Sequence, residues 1–401
     1  MESLRKIKVL GEGAKYDVCA STSSSKKKLI NSAIGNISSS GICHSFTPDG
    51  RCISLFKVLL TNYCEKDCAY CPNRAGRNII RTSFQSNELA KIFMEFYERN
   101  YVEGLFLSSG VWHSTTYTMG EIIKVAEILR QQYRYAGYIH LKILPGASQA
   151  EIQAAVNLAN RISLNMESPN ANRLATLSKS KKFNEEILKG MENINSSVQQ
   201  SPGVTHTTQY IVGAAGESDQ EILSSAHQLY QDFGLKRAYF SAFQPVSNTP
   251  LASVLPTPLI RENRLYQSDF LMRLYDFALE KLVFDSKGNL DQEIDPKLSY
   301  ALHHPELFPL EINKAPYKIL LRIPGIGPRS AIKIIQIRRQ HRFTNLIELK
   351  NLGLLLKRAL PFITINGRFY GNQKLINKPE SEYYKQLSLW GDNRDFMFTN
   401  T

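Results

Sequence analysis

From residue 53 onward, short apolar runs and amphipathic stretches take turns along the chain. "ISLFKVLL" (53–60) is mostly apolar, the pattern of a buried strand. Glu88–Arg99 then carries apolar residues at helical spacing, with Ser86 or Asn87 as the expected N-cap. The alternation continues with strands at 104–109, 138–144, 161–167, 206–212 and 236–243. Helical patterns lie between them at about 120–132, 148–159, 170–195 and 218–232. Six strands, each followed by helical sequence, predict a parallel α/β arrangement, either an open sheet or a barrel.

Two strands favour the barrel. In "YIHLKIL" (138–144), His140 and Lys142 alternate with Ile139, Leu141 and Ile143. In "RISLNME" (161–167), Ser163, Asn165 and Glu167 alternate with Ile162, Leu164 and Met166. A parallel sheet covered by helices on both faces reads as apolar throughout. A polar face instead fits a partial barrel whose lumen holds a polar ligand. Binding groups then gather at the C-terminal ends of the strands.

The flanking sequence divides into further segments. Residues 1–45, rich in Ser, Gly and Lys, are expected to form an irregular N-terminal cap. The barrel core is assigned to 46–255, a helical connection to 256–313, a basic module to 314–368 and a tail to 369–401. Charge singles out the module. The chain carries a formal +13, and residues 314–368 hold twelve Lys/Arg against one acid, Glu348. Such a concentration suggests a polyanionic partner, with a solvated basic surface as the plain alternative.

Within that module, "LLRIPGIGPRSAIKIIQIRRQ" (320–340) sets a Pro-Gly-Ile-Gly turn between two apolar-periodic segments, expected as helices at 316–322 and 328–339. This resembles a helix-hairpin-helix motif in a small all-α domain. Gly325 and Gly327 let the backbone turn tightly, so that amides at the second helix start can face a phosphate. Arg329 and Lys333 would add charge contacts to nucleic-acid backbone, DNA first, without reading sequence. "TNLIELKNLGLLLKRALPFI" (344–363) looks like the second half of the module, suited more to packing than to binding.

The densest chemistry lies in "CEKDCAYC" (64–71), a C-x3-C-x2-C spacing at Cys64, Cys68 and Cys71. No apolar run spans a bilayer and the opening residues lack a signal-peptide pattern, so a cytoplasmic chain with reduced thiols is expected. Three clustered cysteines then favour a metal centre over disulfides. A zinc site would need a fourth ligand such as His44 or His113. A four-iron cluster held by three thiolates keeps one iron open for a small molecule. Cys19, Cys43 and Cys52 match no compact metal spacing and read as free thiols. Residues 41–52 are rich in turn formers and could bring His44 or Asp49 near a substrate.

C-x3-C-x-aromatic-C after the first strand of a (βα)6 pattern, with Tyr70 at the aromatic position, resembles the signature of the radical S-adenosylmethionine (SAM) enzymes. The resemblance implies a partial, TIM-like (βα)6 barrel and a [4Fe–4S] cluster on Cys64, Cys68 and Cys71. It also implies SAM on the fourth iron, and reductive cleavage to a 5′-deoxyadenosyl radical that abstracts hydrogen from a substrate. It suggests cofactor contacts for Ser108, Ser109 and Gly110, where the family has a Gly-Gly-Glu-like segment. Asn165 and Glu167 would contact the ribose or methionine part, Gly213 would lie along adenine, and Lys142 would face the SAM carboxylate. "GICHSFTPDGRCISL", "RNYVEGLFLSSGVW" and "GYIHLKILPGAS" are similar to radical SAM proteins described as DNA modification or repair proteins. A reductase such as flavodoxin or ferredoxin is implied as electron donor. Competing readings are a nucleic-acid-binding protein with a structural cluster, and a radical SAM enzyme acting on RNA, protein or a small molecule.

Overall fold

The computed structural model describes residues 2–17, 42–46, 52–352 and 354–371. Contacts divide the chain into two compact units, one of Met1–Glu217 with Ser224–Pro258 and one of Ser218–Leu223 with Leu259–Asn400. The first is a mixed α/β half-barrel. Its seven-stranded sheet runs in chain order: β1 (Ile42–Phe46), β2 (Cys52–Leu59), β3 (Gly104–Ser108), β4 (Tyr138–Lys142), β5 (Arg161–Ser163), β6 (Thr205–Val212) and β7 (Arg237–Ala242). Strands β2 to β7 pair in parallel, and β1 lies antiparallel on the β2 edge.

The connecting helices are α2 (Ser86–Glu98), α3 (Thr115–Glu127), α4 (Gln149–Leu158), α5 (Ala171–Leu177), α6 (Lys189–Gln199) and α7 (Asp219–Asp232). Helix α2 takes Gln85, rather than Ser86 or Asn87, as its N-cap. A capping box with Glu88 lets Gln85 take that role, while Ser86 is buried and bonds Glu121 instead. Helix α3 ends in a π-helical turn, Ile128–Gln132, and another, Phe183–Leu188, precedes α6. Apolar side chains on one sheet face, among them Leu105, Leu107, Ile139, Leu141 and Ile162, are buried. The opposite face carries buried Lys57, His140, Lys142, Ser163 and Gln209, which is the polar lumen. His140 Nε2 lies 2.8 Å from Ser163 Oγ. Burial, and then the charges of Arg161, Lys142 and Lys57, hold this imidazole well below its usual range and so neutral.

The N-terminal cap departs from the irregular structure expected for it. Residues Glu2–Ala14 form helix α1, which packs against β2 with Leu10 and Ala14 wholly buried. Its apolar residues recur at helical spacing, a signal outweighed in the sequence by the Ser- and Lys-rich stretch that follows. Lys6 ties α1 to α2 through Glu88 at 2.8 Å.

The second unit gathers α8 (Leu259–Leu274), α9 (Pro296–His303), α10 (Tyr317–Leu320), α11 (Pro328–Arg338), α12 (Leu346–Lys350) and α13 (Leu356–Ala359). One apolar core runs from Ile294 through Leu320, Ile334 and Phe343 to Ile365. The helical connection and the basic module therefore share a core. The unit also holds a three-stranded sheet of β8 (Leu310–Glu311), β9 (Ile363–Ile365) and β10 (Arg368–Phe369), beyond the all-α expectation. Strands of two or three residues leave too little period-two pattern to read.

Candidate active site

The loop that follows β2 carries Cys64, Cys68 and Cys71 and is held from several directions. Glu65 N–H donates to the Val111 carbonyl (2.8 Å), Ala69 N–H to Leu177 (2.7 Å) and Ala75 N–H to Lys66 (2.9 Å). The Arg81 guanidinium gathers the carbonyls of Asn62, Asn73, Arg74 and Arg77. Asp67, between the first two cysteines, accepts from the hydroxyls of Ser178 and Ser180 and from the amides of Lys179 and Ser180. Burial alone would raise its pKa. Those donors outweigh it and hold the carboxyl far below the usual range. Lys66 reaches the same segment through the Ser180 carbonyl and Glu186.

The three cysteines are free thiols, as is Cys52, and Cys19 and Asp49 lie outside the described residues. Burial, and then the neighbouring Cys68, push the Cys71 thiol up. Iron binding would therefore release protons here. Asn73 N–H donates to Cys71 Sγ at 3.4 Å, a contact that favours a thiolate. Among the described residues, no group of three or more His, Cys, Asp or Glu is gathered on one point for a single metal ion. His44 and His113 are exposed. Neither joins the cysteines as the zinc reading required.

The cysteines open onto a cavity of about 260 Å³ in the half-barrel. Of the residues singled out in the sequence, Tyr70, Ser108, Ser109, Gly110, Lys142, Asn165 and Glu167 line it, together with all three cysteines. Gly213 is not among the lining residues. Its φ is +87° and its N–H is taken by Glu217, while Gln209 and Ile211 form that part of the wall. Gly110 has a structural duty: a Cβ there would stand 2.2 Å from the Tyr63 carbonyl oxygen and 3.1 Å from Cys64 Cβ. Its N–H is already given to Thr61.

Glu167 is the most constrained of the group. Its φ is +64°, and its N–H and carbonyl bridge to Gln209 and Ile211 of β6. Oε1 pairs with Lys181 at 3.0 Å, both side chains being 7% exposed, whereas Oε2 is buried with no close hydrogen-bond partner among the described residues. Tyr70 sits nearby, its phenol pushed upward by burial and then by the Glu167 charge. Lys181, Asp17 and Gln209 were missed in the sequence. Lys181 lies in a Ser/Lys-rich stretch with no periodicity, and Asp17 follows a helix that itself went unread.

In the second unit, α10 and α11 flank the Pro-Gly-Ile-Gly turn. Gly325 has φ +84° and sits so close that a Cβ would come 2.6 Å from the Leu355 carbonyl oxygen. Gly327 caps α11, with Pro328 at its first position. Arg329 and Lys333, one turn apart on α11, are exposed. Not all of the basic excess faces outward. Arg338 donates to the carbonyls of Ile312 and Ala315, Arg322 stacks on Phe277 and Arg358 pairs with Asp295.

Residues 58–229 match the radical SAM superfamily. This segment is a radical SAM domain. Domains of the superfamily belong to enzymes that use a [4Fe–4S] cluster and SAM. The residues around the cysteines fit that pair. Three thiols line the cavity together with Lys142, Asn165 and Glu167, and the buried Ser109 Oγ and Glu167 Oε2 have no hydrogen-bond partner among the described residues.

Among solved structures, the [FeFe]-hydrogenase maturase HydG from Carboxydothermus hydrogenoformans is similar at 14% identity and a TM-score of 0.43, over 53% of this chain and 50% of that one. Methylornithine synthase (PylB) is similar at 15% and 0.43, over 53% and 60%. A radical SAM methyltransferase from Sphaerobacter thermophilus is similar at 14% and 0.42, over 56% and 68%. The alignments span about half the length of the hydrogenase maturases. No curated protein sequence matches the chain significantly. No helix among the described residues is long and apolar enough to cross a membrane.

Proposed function

We propose that the chain is a radical SAM enzyme whose cluster is held by Cys64, Cys68 and Cys71 and whose substrate is a nucleic acid, DNA first. The observation that carries the first part is the opening of three anchored thiols onto the cavity at the strand ends, beside Lys142, Asn165 and Glu167. When bound, the cluster and SAM supply a 5′-deoxyadenosyl radical by one-electron reduction of the sulfonium, with the electron coming from a flavodoxin or ferredoxin. The chain's own residues bind and orient. Ser109 Oγ and Glu167 Oε2 are buried groups in need of a partner, and Asn165 stands beside Glu167. Helix α1 covers β2, with Leu10 and Ala14 wholly buried.

The nucleic-acid part rests on the second unit. Its hairpin is closed by Gly325 and Gly327, and Arg329 and Lys333 project from the helix that begins there. Anaerobically reconstituted protein given dithionite and SAM is expected to release 5′-deoxyadenosine. Cys64→Ala, Cys68→Ala and Cys71→Ala are each expected to lose the cluster absorbance, while Cys52→Ala keeps it. A chain that holds the cluster yet cleaves no SAM with any reductant would sink the enzyme reading. Nucleosides from cells with and without the protein, compared by mass spectrometry, test the substrate class.

A further inference from the structure

Four lysines line the lumen, and three of them are answered by carboxylates from inside the first unit, while the exposed Lys15 lies over the Tyr16 ring. Lys66 Nζ lies 3.0 Å from Glu186, Lys181 Nζ 3.0 Å from Glu167, and Lys142 Nζ 2.8 Å from Asp17. The first two carboxylates come from the barrel's own connections. The third comes from the turn after α1. That turn crosses the lumen as a fixed piece of wall. Gln209 on β6 donates to the Tyr16 carbonyl at 3.0 Å, and Lys57 on β2 donates to the carbonyls of Lys15 and Asp17. Behind it, Ala14 is wholly buried, and a Cβ at Gly13 would meet Leu59 Cδ1 at 2.8 Å. Burial would raise the Asp17 pKa, but Lys142 and then Lys57 outweigh it and keep the carboxylate ionised.

We propose that Asp17 is a substrate-selecting residue of the cavity, its carboxylate neutralising Lys142 so that the lumen admits an uncharged hydrogen-bonding group, such as the edge of a nucleobase, and excludes a phosphate. The proposal rests on the reading that substrate enters this cavity. A lysine facing a cavity without a counterion recruits an anion, because a buried uncompensated charge is costly. With Asp17 in position that demand is met by the chain. Asn165, which also accepts from Lys142, supplies a neutral polar neighbour on the same wall.

The test uses the full chain with its cluster reconstituted, and inorganic phosphate as the probe in low-salt calorimetry. Wild-type protein is expected to show weak binding at the basic second unit alone. Asp17→Asn should gain a saturable site at least about tenfold tighter, since it leaves the Lys142 ammonium unanswered. That site should vanish in Asp17→Asn/Lys142→Met. Lys142→Met alone, which does not depend on the first variant folding, should leave the wild-type background unchanged. A wild-type phosphate site abolished by Lys142→Met would overturn the proposal, because Asp17 would then be displaceable. So would an Asp17→Asn protein with intact cluster absorbance and no gain in phosphate binding. None of these readouts involves nucleic acid, so they stand if the substrate class proves to be another.

Discussion

At the scale of single residues, backbone proximity decides more than side-chain chemistry. Gly110 illustrates this. It ends the Ser-Ser-Gly segment, where the radical SAM resemblance suggests a backbone contact to SAM, but its own N–H is already bonded to Thr61. What the position requires is the absence of a side chain, because the cysteine loop crosses within 2.2 Å of any Cβ. The obstruction is backbone and has no rotamer with which to yield. Gly110→Ala should therefore displace the Tyr63–Cys64 peptide and cost about 1–3 kcal/mol, the usual range for overpacking a tight site. Thermal unfolding would show the loss of stability. Iron content after reconstitution should fall with it. A variant with wild-type iron content would mean that the loop can shift without losing its grip on the cluster.

At the scale of elements, the cysteine loop and the segment after α5 behave as one clip, with Asp67 as the catch. Its carboxyl is held far below the ordinary aspartate range, so its contribution is linked to pH. The stabilisation is fully present above the unfolded pKa of about 3.9 and disappears as pH falls through the depressed native value. Asp67→Asn keeps the shape and loses the charge. In the iron-free chain it should therefore unfold more readily than wild type at pH 7, by about 1–2 kcal/mol after allowance for solvent screening. The gap should close as pH drops below about 4. A constant gap across urea melts from pH 7 to pH 3 would show that the clip does not depend on charge.

The same scale shows what could be read from the sequence. The strands were legible because their polar and apolar positions alternate within one strand, as at His140, Lys142 and Ser163. The cysteine spacing was legible because ligand chemistry restricts residue type. Asp67, Lys181 and Asp17 were not, because each acts on a segment distant in sequence: Asp67 on Ser178 and Ser180, Lys181 on Glu167, and Asp17 on Lys142. Pairings of that kind leave no period along the chain.

At the scale of the whole molecule, the chain joins a radical SAM domain to a basic unit with its own core, and the charge count alone overstates what that unit offers a partner. Within residues 314–368, Arg322, Arg338 and Arg358 already serve internal carbonyls, rings or acids. Arg329 and Lys333 differ in standing exposed on the helix that starts at the Gly327 cap. If those two meet phosphates, each releases counterions on binding. The double variant Arg329→Ala/Lys333→Ala should then weaken binding to a short duplex at every sequence alike. It should also reduce the slope of log affinity against log salt by about 1.8, close to 0.9 per lost contact. Gly325→Ala is the poorer probe, since φ +84° and the Leu355 carbonyl would strain the turn whatever its role. Cluster content and 5′-deoxyadenosine release without nucleic acid should be unchanged in the double variant. An unaltered salt slope would mean that this hairpin serves packing alone.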